Sequence, residues 1–215
     1  MHGAKIDRQW FIVSRWEQYD GELRANLLRI GGILTFYSIH LVNYHRWFGV
    51  PGIEGASPQF DQLVTSLAVV WVLTAMAVQL ALARHVFPGA LKFVTTTADV
   101  WLLTLVIGVC DGLRSPLVVG YFLILAAASL RFSLSLIWAS TIECLAGYLV
   151  LVVYAERFAT RDKTVPPHSE MIFLAAILIT GVTLGAVVRR VRRMAFEFAE
   201  CVDVQRTELR DKAGE

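Results

Sequence analysis

Charge is scarce in this sequence. Asp, Glu, Lys and Arg make up 18% of its 215 residues, while hydrophobic residues reach 56%. An ordinary soluble domain carries about 25% charged residues. So little charge, with a mean hydropathy of +0.56, excludes an ordinary water-soluble globule and points to a membrane protein. Cysteine is nearly as rare. Cys110, Cys144 and Cys201 show no CxxC and no Cys/His metal spacing, which excludes a zinc ribbon. Their expected depths differ, which argues against a disulfide framework. The opening MHGAKIDRQWFIVSRWEQYDGELR has charges throughout, no early apolar core and no small-residue cleavage site, so it is not expected to be a signal peptide. No HExxH, P-loop, dinucleotide fingerprint or nucleophile triad occurs, so no enzyme is expected. The basic residues form no groove with interleaved aromatics, so neither is nucleic-acid binding.

Long apolar runs are what the sequence does have. A bilayer core about 30 Å thick needs roughly 20 apolar residues as helix. Six stretches qualify: about 26–47, 62–84, 92–110, 116–131, 133–156 and 170–189. The connectors suit this division. WFGVPGIEGASPQFD is rich in Gly and Pro, HVFPG is a short turn, and ERFATRDKTVPPHSE is polar. The segment CDGLRSP makes a tight turn into the fourth span, with Pro116 in the first helical turn, where its missing N–H costs nothing.

Orientation follows from the basic residues. With both termini cytoplasmic, fifteen of the 20 Lys and Arg face inward and five face outward. The expectation is therefore an all-α bundle of six transmembrane helices, N-in and C-in, in the cell's inner membrane. Residues 1–25 mix Trp10, Phe11, Ile12 and Trp16 with Arg8, Arg15 and Asp20, which predicts an amphipathic helix on the inner surface. The membrane domain then covers 26–189 and a cytoplasmic helical tail 190–215. Arg189, Arg190, Arg192 and Arg193 stop the last span and can hold anionic lipid.

An outer DG-x-x-SP turn (Asp111, Gly112, Ser115, Pro116), then a span bearing Tyr121 and ending AAASLRFSL, resembles the membrane input domains of multi-span bacterial sensor histidine kinases and related cyclases. RRVRRMAFEFAECVDVQRTELRDK occupies the place where such proteins continue into a cytoplasmic coil. The resemblance covers about residues 25–210 and implies a sensor that passes a signal through its last span. The sequence departs from that family after the tail. No His follows His168 and no Gly-rich phosphate loop occurs, so the output is expected on a separate protein.

Ionisable residues inside spans are costly and are functional candidates by default. Asp99 lies about 10 Å from the inner end of span three and Glu143 about 15 Å into span five. The two acids can share a cavity with Thr96 and neighbouring threonines, sensing or relaying protons or binding a cation. The alternative is structural pairing of these acids with Arg29 or Arg131. His40 and His45 are about 140° apart on one helix, so they share no face. A metal or haem set would need His168 as well, and no cofactor is expected. Gly181 and Gly185 form a GxxxG, suited either to a dimer face or to packing within the bundle. The leading expectation is thus a membrane sensor module acting as a homodimer or with a signalling partner, in contact with membrane lipids. A haem- or quinone-binding membrane subunit of a redox complex, and a small proton- or cation-coupled transporter, are the alternatives.

Overall fold

A computed structural model describes residues 3–44, 58–84, 89–110, 112–158 and 165–212, with side chains described between residues 21 and 197. Every regular element among them is helical. Helix α1 runs Gly3–Tyr44, α2 Pro58–Ala83, α3 Leu91–Val109, α4 Gly120–Ser129, α5 Leu134–Phe158 and α6 Pro167–Lys212. Short 3-10 turns at Gly112–Arg114 and Pro116–Val119 lead into α4.

Five of these helices are long and apolar enough to cross a membrane: Gly21–Val42, Gln59–Ala83, Leu91–Val109, Leu134–Arg157 and Pro167–Ala195. The protein is a multi-pass, all-helical membrane protein by this measure. The fourth expected span is shorter, an apolar Pro116–Ser129 that begins as 3-10 helix. Ser115 caps it, its hydroxyl oxygen accepting the Leu117 N–H. The 3-10 start stretches these residues further along the axis than α-helix would, because 3-10 geometry rises about 2 Å per residue rather than 1.5 Å.

Two helices run on past their apolar stretches, and the continuity of the last span with its tail is as expected. No break separates the leader from the first span: α1 is one helix of 42 residues. At the other end α6 also continues without interruption, 46 residues from Pro167 to Lys212.

The interior is built on α3, α4, α5 and α6. Val100, Leu103 and Ile107 of α3 meet Tyr121 and Leu125 of α4, Cys144 and Tyr148 of α5 and Ile177 of α6. Tyr148 stacks on Phe173 at 4.9 Å between ring centroids and meets Tyr121 edge-on at 6.5 Å. The Tyr121 hydroxyl is satisfied by Thr104 Oγ1 at 2.9 Å, as a phenol in an apolar interior requires. Elsewhere large apolar side chains point outward, among them Leu63, Leu73, Met76, Ile142 and Ile179. Lipid is the solvent for such a surface. The chain reverses between α4 and α5 within a few residues, and Phe132 takes a left-handed φ of 47° to allow it. Helices α1 and α2 lean on this core with Ala25, Ile33, Val64, Ala75, Val78 and Leu82 buried, and polar contacts add to this packing.

Candidate functional site: a buried charge seam beside a cavity

The polar contacts arise from three stripes. On α1, Glu22, Asn26 and Arg29 are spaced four and three apart, which puts them on one helix face. On α3, Lys92, Thr95, Thr96 and Asp99 repeat that spacing. On α2, Trp71, Ala75 and Gln79 share a face at intervals of four. Arg131 enters from the turn after α4.

Arg29 and Asp99 form the centre. Arg29 Nε donates to Asp99 Oδ1 at 2.7 Å and to Oδ2 at 2.9 Å, and Nη2 donates to Oδ2 at 2.6 Å. Trp71 Nε1 donates to Asp99 Oδ1 at 2.8 Å. Arg29 Nη1 donates to Asn26 Oδ1 at 2.7 Å, and Asn26 Nδ2 donates to Gln79 Oε1 at 2.9 Å and to the Ala75 carbonyl at 3.3 Å. One guanidinium thus joins α1 to α3, and its neighbour Asn26 joins α1 to α2.

Arg131 is the second centre. Its Nη1 donates to Thr96 Oγ1 at 2.6 Å and to the Lys92 carbonyl at 2.9 Å, and Nη2 donates to Thr95 Oγ1 at 3.2 Å. Nη2 also lies 3.0 Å from Glu22 Oε2. Glu22 is 2% exposed, and Arg29, Asp99 and Arg131 are each 8% exposed. Two acids against two guanidiniums make the seam electroneutral, the condition under which charges persist at such depth. Among the described residues, two buried side-chain polar atoms have no hydrogen bond, Glu22 Oε2 and Arg131 Nε.

Beside the seam lies a cavity of about 400 Å³ between α1 and α4. Arg29, Asp99, Thr96 and Arg131 line its polar end, and Leu28, Ile33, Phe36, Leu123 and Ile124 line the rest. Missing side chains create it. A Cβ placed on Gly31 or Gly32 would meet nothing within 4 Å, and Ala127 and Ala128 face it from α4. Near the start of the described α1 side chains the two elements do touch: a Cβ on Gly21 would sit 3.0 Å from the Leu130 carbonyl oxygen.

The candidates from the sequence are placed as follows. Asp99 and Thr96 belong to the seam, and the pairing of Asp99 with Arg29 is the structural alternative stated above. Glu143 is elsewhere. It is half-buried and its Oε1 accepts from Thr97 Oγ1 at 2.7 Å. Thr97 and Asp99 are two residues apart on α3, about 200° around the helix, so the two acids face different sides and share no cavity. Gly181 and Gly185 are buried against α5, where a Cβ on Gly181 would collide with the Thr141 side chain and one on Gly185 would sit 3.6 Å from Leu134 Cδ1. That face is therefore occupied within the bundle and is not open to a second copy. His40 Nε2 lies 3.0 Å from Asp61 Oδ1, while His168 is exposed in the first turn of α6. No metal-ligating group of three or more His, Cys, Asp or Glu occurs among the described residues; His45 lies outside them. Arg189, Arg190, Arg192 and Arg193 are exposed on α6, near the end of its membrane-length stretch Pro167–Ala195.

Glu22, Asn26, Trp71 and Gln79 are the seam members that the sequence reading passed over. The signal for Asn26, Trp71 and Gln79 is a polar side chain at helical spacing, 26–29 and 71–79, within apolar stretches, whereas Glu22 stands among other charges.

No protein-family model matches the chain, and neither curated proteins nor solved structures give a match.

Proposed function

We propose that the protein is a membrane sensor module of six crossings, with both ends on the cytoplasmic side of a cell's inner membrane. It transmits a change in its bundle through α6 to a separate output protein. The observation that carries this reading is the unbroken α6. Its apolar part ends at Ala195 and the helix continues to Lys212, about 25 Å further at 1.5 Å per residue. A helix without a hinge moves as a rod, so a tilt or rotation inside the bilayer reappears at its far end. Helix α1 has the same build, with about 27 Å of helix before its apolar part. For an even number of crossings the two arms emerge on one side, where a partner can read both.

The seam supplies the second requirement, a bundle that can hold two packings of differing affinity for a signal. It concentrates the attachment of α1 and α2 in a few directional bonds, which are made or broken as units. The transporter reading draws less support, because Asp99 is committed to Arg29 and Trp71 and lies apart from Glu143.

A fused reporter tests the reading. A kinase catalytic domain is joined in helical register after Lys212, and one to four alanines are inserted between Arg193 and Met194. Each alanine turns the distal helix by about 100°. Output is expected to rise and fall with helical phase, and Asp99→Asn is expected to shift its level. An output indifferent to both phase and seam would overturn the proposal.

A further inference from the structure

The lipid-facing side of the α3–α5 contact holds a carboxyl group that the chain itself does not pair. From it we infer that this face docks a transmembrane helix of another protein, one that carries a Lys or Arg at mid-membrane depth. The inference goes beyond the sensor reading and does not rest on it.

Depth and isolation are the first ground. Glu143 is the tenth residue of the 24-residue stretch Leu134–Arg157. That places it about 15 Å into a core about 30 Å thick, near the middle. Its one polar contact is the hydrogen bond that Thr97 Oγ1 donates. Asp99, Glu22 and Asp61 each face a basic side chain, whereas no Lys, Arg or His among the described residues reaches Glu143. An acid within a span normally faces the bundle interior or a water-filled cavity and is paired there. Glu143 instead stands at the edge of the bundle. Cys144 and Gly147 beside it are buried, while Ile142 and Ala146 on its other flank are exposed. It does not line the cavity between α1 and α4.

The surroundings are the second ground. On α5, Ala139 is half-buried and Ala146 exposed, about one turn to either side of Glu143. On α3, Val94 and Trp101 are exposed on either side of Thr97. Alanines here let another helix backbone come close, which is how helices associate where lipid supplies no hydrophobic drive.

Charge selects the occupant. Charges at such depth persist when they are paired, so the missing partner is a cation. A second copy of this chain does not supply it. A two-fold dimer sets the same patch against itself and would bring acid towards acid. The exposed basic residues among the described ones are Arg24, Arg84, Arg114, Arg157 and the arginines from Arg189 onward. They lie near the ends of the membrane-length stretches or in turns, away from mid-membrane. A bound metal ion fits no better, because one carboxyl and one hydroxyl fall short of the six or more oxygens that Ca²⁺ takes. A Lys or Arg on a partner helix answers both features: its head meets the carboxylate and its helix covers the alanines.

The probe is a synthetic transmembrane peptide of leucine and alanine with one central lysine and an acceptor dye. Sister peptides carry leucine, glutamine or glutamate at that place. The full chain, with Cys110, Cys144 and Cys201 replaced by alanine and a donor dye at Ser135→Cys, is reconstituted in phosphatidylcholine liposomes. Energy transfer is read against peptide density. The lysine peptide should half-saturate at roughly tenfold lower density than the leucine peptide. Glu143→Gln keeps an acceptor for Thr97 and should remove that advantage while circular dichroism stays unchanged. Glu143→Lys should move the preference to the glutamate peptide. Ala146→Leu leaves the carboxyl in place and blocks close approach. It should weaken the lysine peptide as well, and it serves if Glu143→Gln fails to fold. Equal transfer to the lysine and leucine peptides, or a lysine preference that survives Glu143→Gln, would overturn the proposal. Glu143-dependent transfer between donor-labelled and acceptor-labelled copies of the chain would overturn it too, because a second copy would then occupy the face.

Discussion

Arg29 sits in a span where an unpaired cation is among the costliest residues to hold. Its three bonds to Asp99 answer that cost. Removing one partner leaves the other charge buried alone, a loss of about 3–5 kcal/mol in buried pairs. Arg29→Ala and Asp99→Ala should therefore each destabilise strongly. The double variant Arg29→Met with Asp99→Leu should recover most of the loss, because it removes both charges and keeps volume. Unfolding in detergent micelles, followed by circular dichroism, measures all three. Glycines give a contrast at the same scale. Gly181→Ala should cost about 1–3 kcal/mol, because the new Cβ meets Thr141, and Thr141→Ala should rescue it. Gly31→Ala meets nothing and should stabilise by up to about 1 kcal/mol through helix propensity. The GxxxG was legible as close packing, but two readings of its face were open, because spacing says that backbones approach and not which backbone does. Asp99 was legible as a residue that needs a reason. Glu22 was not, because among Asp20, Arg24 and other charges it reads as part of a solvated leader.

Helix α4 and the turn after it show how elements are set by few residues. Apolar length and Pro116 marked this helix, and its 3-10 start and four-residue reversal lie beyond what hydropathy resolves. Phe132 holds its positive φ at a cost of roughly 1–2 kcal/mol for a residue with a Cβ. It is also 48% exposed, so its ring contributes little packing. Phe132→Gly should stabilise the protein by about 1 kcal/mol, read as a raised unfolding midpoint. Gly21 is the counterpart on α1. Its Cβ position is occupied by the backbone of Leu130 and Arg131, so Gly21→Leu should push α1 away from that turn and lower the midpoint. The six apolar runs were plain because bilayer thickness fixes the length of a span. The joining of the leader to the first span was hidden. A stretch that alternates charge and aromatic residues has the same composition whether it lies on a surface or stands as a helical arm.

In the whole molecule the core of α3 to α6 is apolar and continuous, whereas α1 is tied to α3 through the seam and parts from α4 along the cavity beyond their contact at Gly21. Such a division favours motion of the first two helices against the rest. That α6 carries such motion outward is the central claim, and spin-label distances test it most directly. Labels are placed at Ser135→Cys, exposed at the start of α5, and at Glu208→Cys in the tail, with Cys110, Cys144 and Cys201 replaced by alanine. In nanodiscs, pulsed dipolar spectroscopy should give one narrow distance, and breaking the seam with Asp99→Asn should move that peak while leaving it narrow. A broad distribution, or a peak unmoved by the seam variant, would contradict the account.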